Sequence, residues 1–136
     1  MFYEISSRRV VIDRKGNDKS LTEHFIVDGV ELFAEAEQKG LELYNGENDI
    51  VAIKRSNLKE FVNKRSSDDE KIYLATIETS YIDDGGNELS SKYVVALFAT
   101  TTQSAMVIAL NYLKGGLEDM TLVGIKKSKF VDLITN

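Results

Sequence analysis

His24 is the sole imidazole in a sequence that has no cysteine. Thiol nucleophiles, disulfides and Cys-metal sites are therefore excluded, and a two-histidine metal site cannot be assembled. A histidine becomes a general base when a carboxylate orients it, and Glu23 or Asp28 could serve a hydrolase in that way. A single strand histidine beside an acid is more commonly structural, so the expectation is a protein that is not an enzyme. The acidic groups Asp13 with Asp18, and Asp83 and Asp84 with Glu88, suggest calcium loops. They lack the alternate-position ligands and terminal bidentate Glu of such loops, and hairpin turns use the same residues. Gly85-Gly86 is likewise a turn signal, because no G-x-G-x-x-G or P-loop pattern accompanies it. No catalytic residue, metal site or cofactor is expected.

Basic residues are better organised. Lys54, Arg55, Lys59, Lys64 and Arg65 fall in one stretch, and Lys126, Lys127 and Lys129 in another. Joined in one stripe with Tyr3, Tyr73 and Tyr81, they would hold single-stranded nucleic acid by phosphate contacts and stacking. Lys54, Arg55, Lys59, Lys126, Lys127 and Lys129 are the contacts that this reading names. The preferred alternative is that they are the exposed face and edge protection of strands. Seventeen Lys and Arg against 22 Asp and Glu give a net charge of -5, so the global field opposes nucleic acid.

These residues must be positioned by a duplicated unit. Ile12-Asp13-Arg14-Lys15-Gly16-Asn17-Asp18 returns as Ile82-Asp83-Asp84-Gly85-Gly86-Asn87-Glu88, an offset of 70. Ile50-Val51-Ala52-Ile53-Lys54-Arg55-Ser56 returns as Leu122-Val123-Gly124-Ile125-Lys126-Lys127-Ser128, an offset of 72. In each copy an apolar, β-branched run (Phe2 to Ile12, Ile72 to Ile82) meets the Gly-Asn-acid turn and a return strand (Thr22 to Val27, Ser91 to Phe98). Helical stretches follow at about Leu32 to Tyr44 and Thr102 to Leu113, closed by Asn45-Gly46 and Gly115-Gly116. Third strands lie at Ile50 to Arg55 and Thr121 to Lys127, and the tails Leu58 to Val62 and Phe130 to Ile134 extend them or form a further element. The predicted fold is α+β: a tandem ββαβ duplication with pseudo-twofold symmetry, a mainly antiparallel sheet and two helices packed on it. Third strands are expected beside first strands, in one continuous sheet or two abutting ones. Repeats at 1–65 and 70–136 make one domain, linked by the polar segment Asn63 to Lys71.

The second helix is unusual. Ala105, Ile108, Ala109 and Tyr112 make one apolar side, while Met106, Val107, Leu110 and Leu113 make the opposite side apolar too. A helix that is apolar all round needs cover on more than one side. Self-association as a homodimer through Met106, Leu110 and Leu113 is the favoured cover. The first helix instead pairs an apolar side (Phe33, Ala36, Gly40, Tyr44) with an acidic one (Glu31, Glu35, Glu42).

At 136 residues, 43% hydrophobic and 29% charged, the chain can close its own core. No run approaches the roughly 18 apolar residues that span a bilayer, and no basic stretch leads into an apolar signal region. A cytoplasmic location is expected, with virion association as the variant.

Thr22-Glu23-His24-Phe25-Ile26-Val27-Asp28-Gly29, Phe33-Ala34-Glu35-Ala36-Glu37, Ile53-Lys54-Arg55 and Tyr93-Val94-Val95 resemble an uncharacterised domain-of-unknown-function family of small Bacteroidetes and phage proteins. The resemblance covers essentially the whole chain. It departs in lacking an early Trp and in having Ala34 where a helix-starting Thr is expected; Asp28 with Glu31 is the substitute capping box. The resemblance implies a bacterial or phage origin and no catalytic residues. A non-enzymatic protein-interaction module is the leading expectation, with a nucleic-acid-binding accessory protein as the alternative.

Overall fold

The computed structural model describes residues 1–115 and 119–135. Its elements are β1 (Tyr3–Ile12), β2 (Asp18–Asp28), α1 (Phe33–Glu42), β3 (Asp49–Arg55), β4 (Leu58–Phe61), β5 (Lys71–Ile82), β6 (Glu88–Ala99), α2 (Thr102–Lys114), β7 (Asp119–Lys127) and β8 (Phe130–Thr135). The class is α+β, with two helices and two four-stranded sheets, ordered β3-β1-β2-β8 and β4-β6-β5-β7.

The repeated I-D-x-x-G-N-acid pattern builds the same turn twice. Gly16 N–H donates to the Asp13 carbonyl at 3.0 Å and Gly86 N–H to the Asp83 carbonyl at 3.0 Å. Both glycines are left-handed, at φ 81° in each. This closes a hairpin through a tight turn followed by a glycine bulge, whose twist suits the flanking strands. The aspartate fixes it from inside: Asp13 Oδ1 accepts from Lys15 and Asn17 N–H, and Asp83 Oδ1 from Gly85 and Asn87 N–H, all at 2.8–2.9 Å. The Asp13 and Asp83 carboxylates thus lock the two turns. The bonds from Asn87, then Gly85, hold the Asp83 carboxyl below the usual range. A depressed folded-state pKa contributes stability above the unfolded value, lost as pH falls through the folded one. Asp83→Asn is therefore expected to lose a small increment of stability near neutral pH and to show a flatter acid limb in unfolding titrations. An unchanged acid limb would remove the role of the charge.

Register follows from these turns. β1 pairs with β2 from Ile12↔Asp18 to Tyr3↔Val27, and β5 with β6 from Ile82↔Glu88 to Lys71↔Ala99. The third strands lie beside the first, as expected, and run antiparallel to them, with bulges at matching places, Ser6/Ser7 and Thr76/Ile77. The tails do not extend the third strands. β8 runs parallel to β2, and β4 runs parallel to β6, so each sheet is mixed and takes its fourth strand from the other repeat. Asn63 prolongs that edge, donating to the Phe98 carbonyl at 2.9 Å and accepting its N–H at 2.8 Å.

Two compact units result: Met1–Ser56 with the segment starting at Lys129, and Asn57–Ser128. Repeat boundaries and unit boundaries therefore differ. In the first unit Tyr3, Ile5, Phe25, Val27, Val30 and Ala36 form the core, joined by Ile50, Ile53 and Ile134. Gly40 lets α1 sit close, since a Cβ there would lie 2.7 Å from the Ile5 and Ile50 side chains. In the second unit Ala75, Ile77, Val95 and Leu97 meet Ala105 and Ala109 of α2.

The helix ends differ in part from expectation. Leu32, not Asp28, is the N-cap of α1 and makes no side-chain cap bond; Asp28 accepts from Gly29 N–H instead. The chain turns into α1 too late for the Asp28/Glu31 box to reach it. α2 carries the capping box, Thr101 with Ser104. Asn45 and Gly46 are both left-handed, at φ 54° and 80°, as a helix stop requires. Gly115 is right-handed, and Gly116 lies outside the described residues.

Candidate functional site

Alternation along β1 sends Tyr3, Ile5 and Ser7 toward α1 and Glu4 and Ser6 to the other face of the sheet. The hairpin register sets Ser6 opposite His24, and the β3 register sets Glu4 opposite Lys54. β8 brings Phe130 opposite His24, with Lys129 just before it. These residues line a hollow of about 180 Å³ with Ala52 and the Ile5 and Ile53 segments, all within the first unit.

In the hollow Ser6 Oγ lies 3.0 Å from His24 Nδ1, and Lys54 Nζ lies 3.7 Å from Glu4 Oε1. Burial, then the Lys129 charge, lower the His24 pKa, with Glu4 opposing. A neutral imidazole whose Nδ1 accepts the Ser6 proton carries its hydrogen on Nε2. The hollow then offers an imidazole N–H and two ammonium groups as donors. As a nucleophile, Ser6 has poor surroundings: β1 is hydrogen-bonded on both sides and presents no open edge of amides to hold an oxyanion.

Neither expected acid orients His24. Glu23 is the next strand residue and so points to the opposite face, where Arg9 Nε donates to its Oε1 at 2.9 Å and the Tyr44 hydroxyl at 2.7 Å. The Arg9 guanidinium also stacks 4.4 Å from the Tyr44 ring centre. The Glu23 bond and charge raise the Arg9 pKa, and burial, then Glu23, raises that of Tyr44. Asp28 is held by Gly29.

The six basic candidates divide between the units. Lys54, Arg55 and Lys129 belong to the first, and Lys59, Lys126 and Lys127 to the second. In each unit they sit at opposite sheet edges, on β3 and before β8, or on β4 and β7. Only Lys54 and Lys129, among the described residues, meet in the hollow. Lys59 lies 4.1 Å from the Tyr93 ring centre, Arg55 5.9 Å from Phe33, and Lys129 5.8 Å from Phe130. Tyr3 and Tyr73 are not available to stack bases, being 0% and 5% exposed: both point to the helix side of a central strand. Tyr81, nearer the hairpin tip, is exposed.

Of the self-association candidates, Met106 and Leu110 are exposed and Val107 lies beside them. Leu113 is not: four residues on from Ala109, it shares that stripe and packs on the core. Phe33, placed on the apolar side of α1, is half exposed, with its ring edge-on to Tyr3 at 5.1 Å.

Glu4 and Ser6 were not among the sequence candidates. The signal was present, because counting outward from the Ile12/Asp18 pair places Ser6 across from His24.

No curated protein and no solved structure matches the chain. The domain of unknown function DUF4494 matches it over residues 1–136. With the whole chain covered, the protein belongs to the DUF4494 family.

Proposed function

We propose that the protein is a non-enzymatic interaction module that pairs with a second copy of itself through α2, in the cytoplasm of a bacterium or a phage-infected cell. The α2 surface carries this reading. Met106, Val107 and Leu110 are 44%, 58% and 44% exposed on a helix whose outer face includes Gln103 and Asn111 and has Lys114 at its end. Aligning the buried Ala36 and Gly40 of α1 with Ala105 and Ala109 sets exposed Glu37 and Gln38 against Met106 and Val107, and the less exposed Leu41 against Leu110. Copies of one unit thus differ at this place, and an uncharged apolar face is self-complementary across a twofold. The origin rests on the residue resemblance described for the Thr22 to Glu37 segment.

Nucleic-acid binding draws less support, since the basic candidates are split between units and two of their three aromatic partners are buried. Sedimentation equilibrium is expected to show a dimer that Leu110→Asp and Val107→Lys each weaken by at least about tenfold, while circular dichroism is unchanged. A monomeric wild type, or a dimer indifferent to both substitutions, would overturn the reading.

A further inference from the structure

The duplication supplies an internal comparison for the hollow. Strand register makes Leu74 the counterpart of Glu4, Thr76 of Ser6, Val94 of His24 and Lys126 of Lys54, and the sequence repeat sets Asn57 against Lys129. One copy therefore keeps a lysine, the Thr76 hydroxyl and Asn57, with Leu74 and Val94 at the other two places. The other carries an acid, a hydroxyl, an imidazole and two lysines at the same places. Nothing in the shared scaffold requires the acid, the imidazole or the second lysine, because the second unit builds the same strands and the same bulge without them. Glu4 is partly withdrawn from water, at 19% side-chain exposure, while the Lys54 side chain is 70% exposed and open to a ligand.

We infer that the hollow formed by Ser6, His24, Lys54, Lys129 and Glu4 is a binding site for a single phosphoryl group. At about 180 Å³ it is smaller than the cavities that enclose whole drug-sized ligands, and suits one tetrahedral group with the atoms next to it. Lys54 on β3 and Lys129 just before β8 line the hollow from opposite edges of the sheet, so the two cations flank an anion held there. Glu4 lies beside Lys54 at ion-pair distance, 3.7 Å, so the ammonium keeps its N–H donors for oxygens of the ligand. Where His24 Nδ1 accepts the Ser6 hydroxyl, the ring proton sits on Nε2 and gives a neutral N–H donor. The two lysines against one carboxylate leave a net positive charge, which a phosphoryl oxygen neutralises.

The test is a titration of the full chain with inorganic phosphate and, separately, glycerol 2-phosphate, at constant ionic strength, following the His24 ring protons by nuclear magnetic resonance. The expected result is a saturable shift and an upward move of the His24 titration in the presence of ligand, set against the charges that face it, Glu4, Lys54 and Lys129. Lys129→Gln is expected to weaken binding about tenfold, the scale of losing one charge-assisted hydrogen bond, and Lys126→Gln to leave it unchanged. Tighter binding of the ester assigns the site to a phosphomonoester, and tighter binding of orthophosphate to the free anion. A shift that stays linear and is matched by chloride, or equal weakening by Lys126→Gln and Lys129→Gln, would overturn the proposal. Since the ring resonance reports binding directly, the result is independent of whether the protein dimerises.

Discussion

Ending the chain at Lys129 is expected to unfold the first unit and leave the second folded. Among the described residues β8 is the one partner of β2 on its outer side, paired from His24↔Phe130 to Asp28↔Thr135. Its Ile134 packs into the first unit's core, and Phe130 is 9% exposed. Losing a buried Phe costs about 3–5 kcal/mol, and the partly buried Ile134 adds less than the roughly 2–5 kcal/mol of a fully buried Ile. Together they approach the whole stability of a typical domain, about 5–15 kcal/mol. The second unit keeps every strand of its sheet, because β4, β5, β6 and β7 all lie within Asn57–Ser128. Amide hydrogen exchange should show residues 3–55 unprotected while 71–99 remain protected. Retained protection in β1 and β2 would show that the fourth strand contributes little.

Tyr3→Ala should destabilise the first unit by about 3–5 kcal/mol, the range for removing a fully buried aromatic ring. Tyr3 is fully buried, its ring meets Phe33 edge-on, and its hydroxyl donates to the Glu31 carbonyl at 2.7 Å. That bond ties the loop before α1 to the first residue of β1. Tyr3→Phe keeps the ring and removes the tie, so the expected loss is about 1 kcal/mol. Denaturant unfolding of the two variants separates packing from the hydrogen bond. Equal losses would mean that the ring itself contributes little and the loop anchor dominates.

Local chemistry is what the sequence makes legible. The I-D-x-x-G-N-acid repeat announces two hairpins because the aspartate and the left-handed glycine act within five residues. The order of strands and helices in each repeat follows from periodicity, and the placement of third strands beside first strands from the right-handed crossover of the helix. The destination of the tails does not. Leu58 to Phe61 and Phe130 to Thr135 are short apolar segments that pair with whichever edge geometry brings near, and nothing within them names that edge. The start of α1 is hidden for a related reason. Its N-cap Leu32 has no side-chain acceptor, so the helix is held by packing of Ala36 and Gly40 rather than by a cap. For the hollow, His24 and Lys54 stand out by residue type, but Glu4 and Ser6 are ordinary until the register sets them opposite those two.

The exchange of fourth strands bears on the order of events during synthesis. The residues of β1, β2, α1 and β3 leave the ribosome first, yet the edge of β2 stays vacant until β8 emerges. Roughly 70 further residues must be added, on the order of 4–14 s at 5–20 residues per second. All four strands of the second sheet are complete by Lys127. Translation therefore allows the later-made unit to close before the earlier-made one, and exposes the vacant β2 edge to neighbouring nascent chains in the interval.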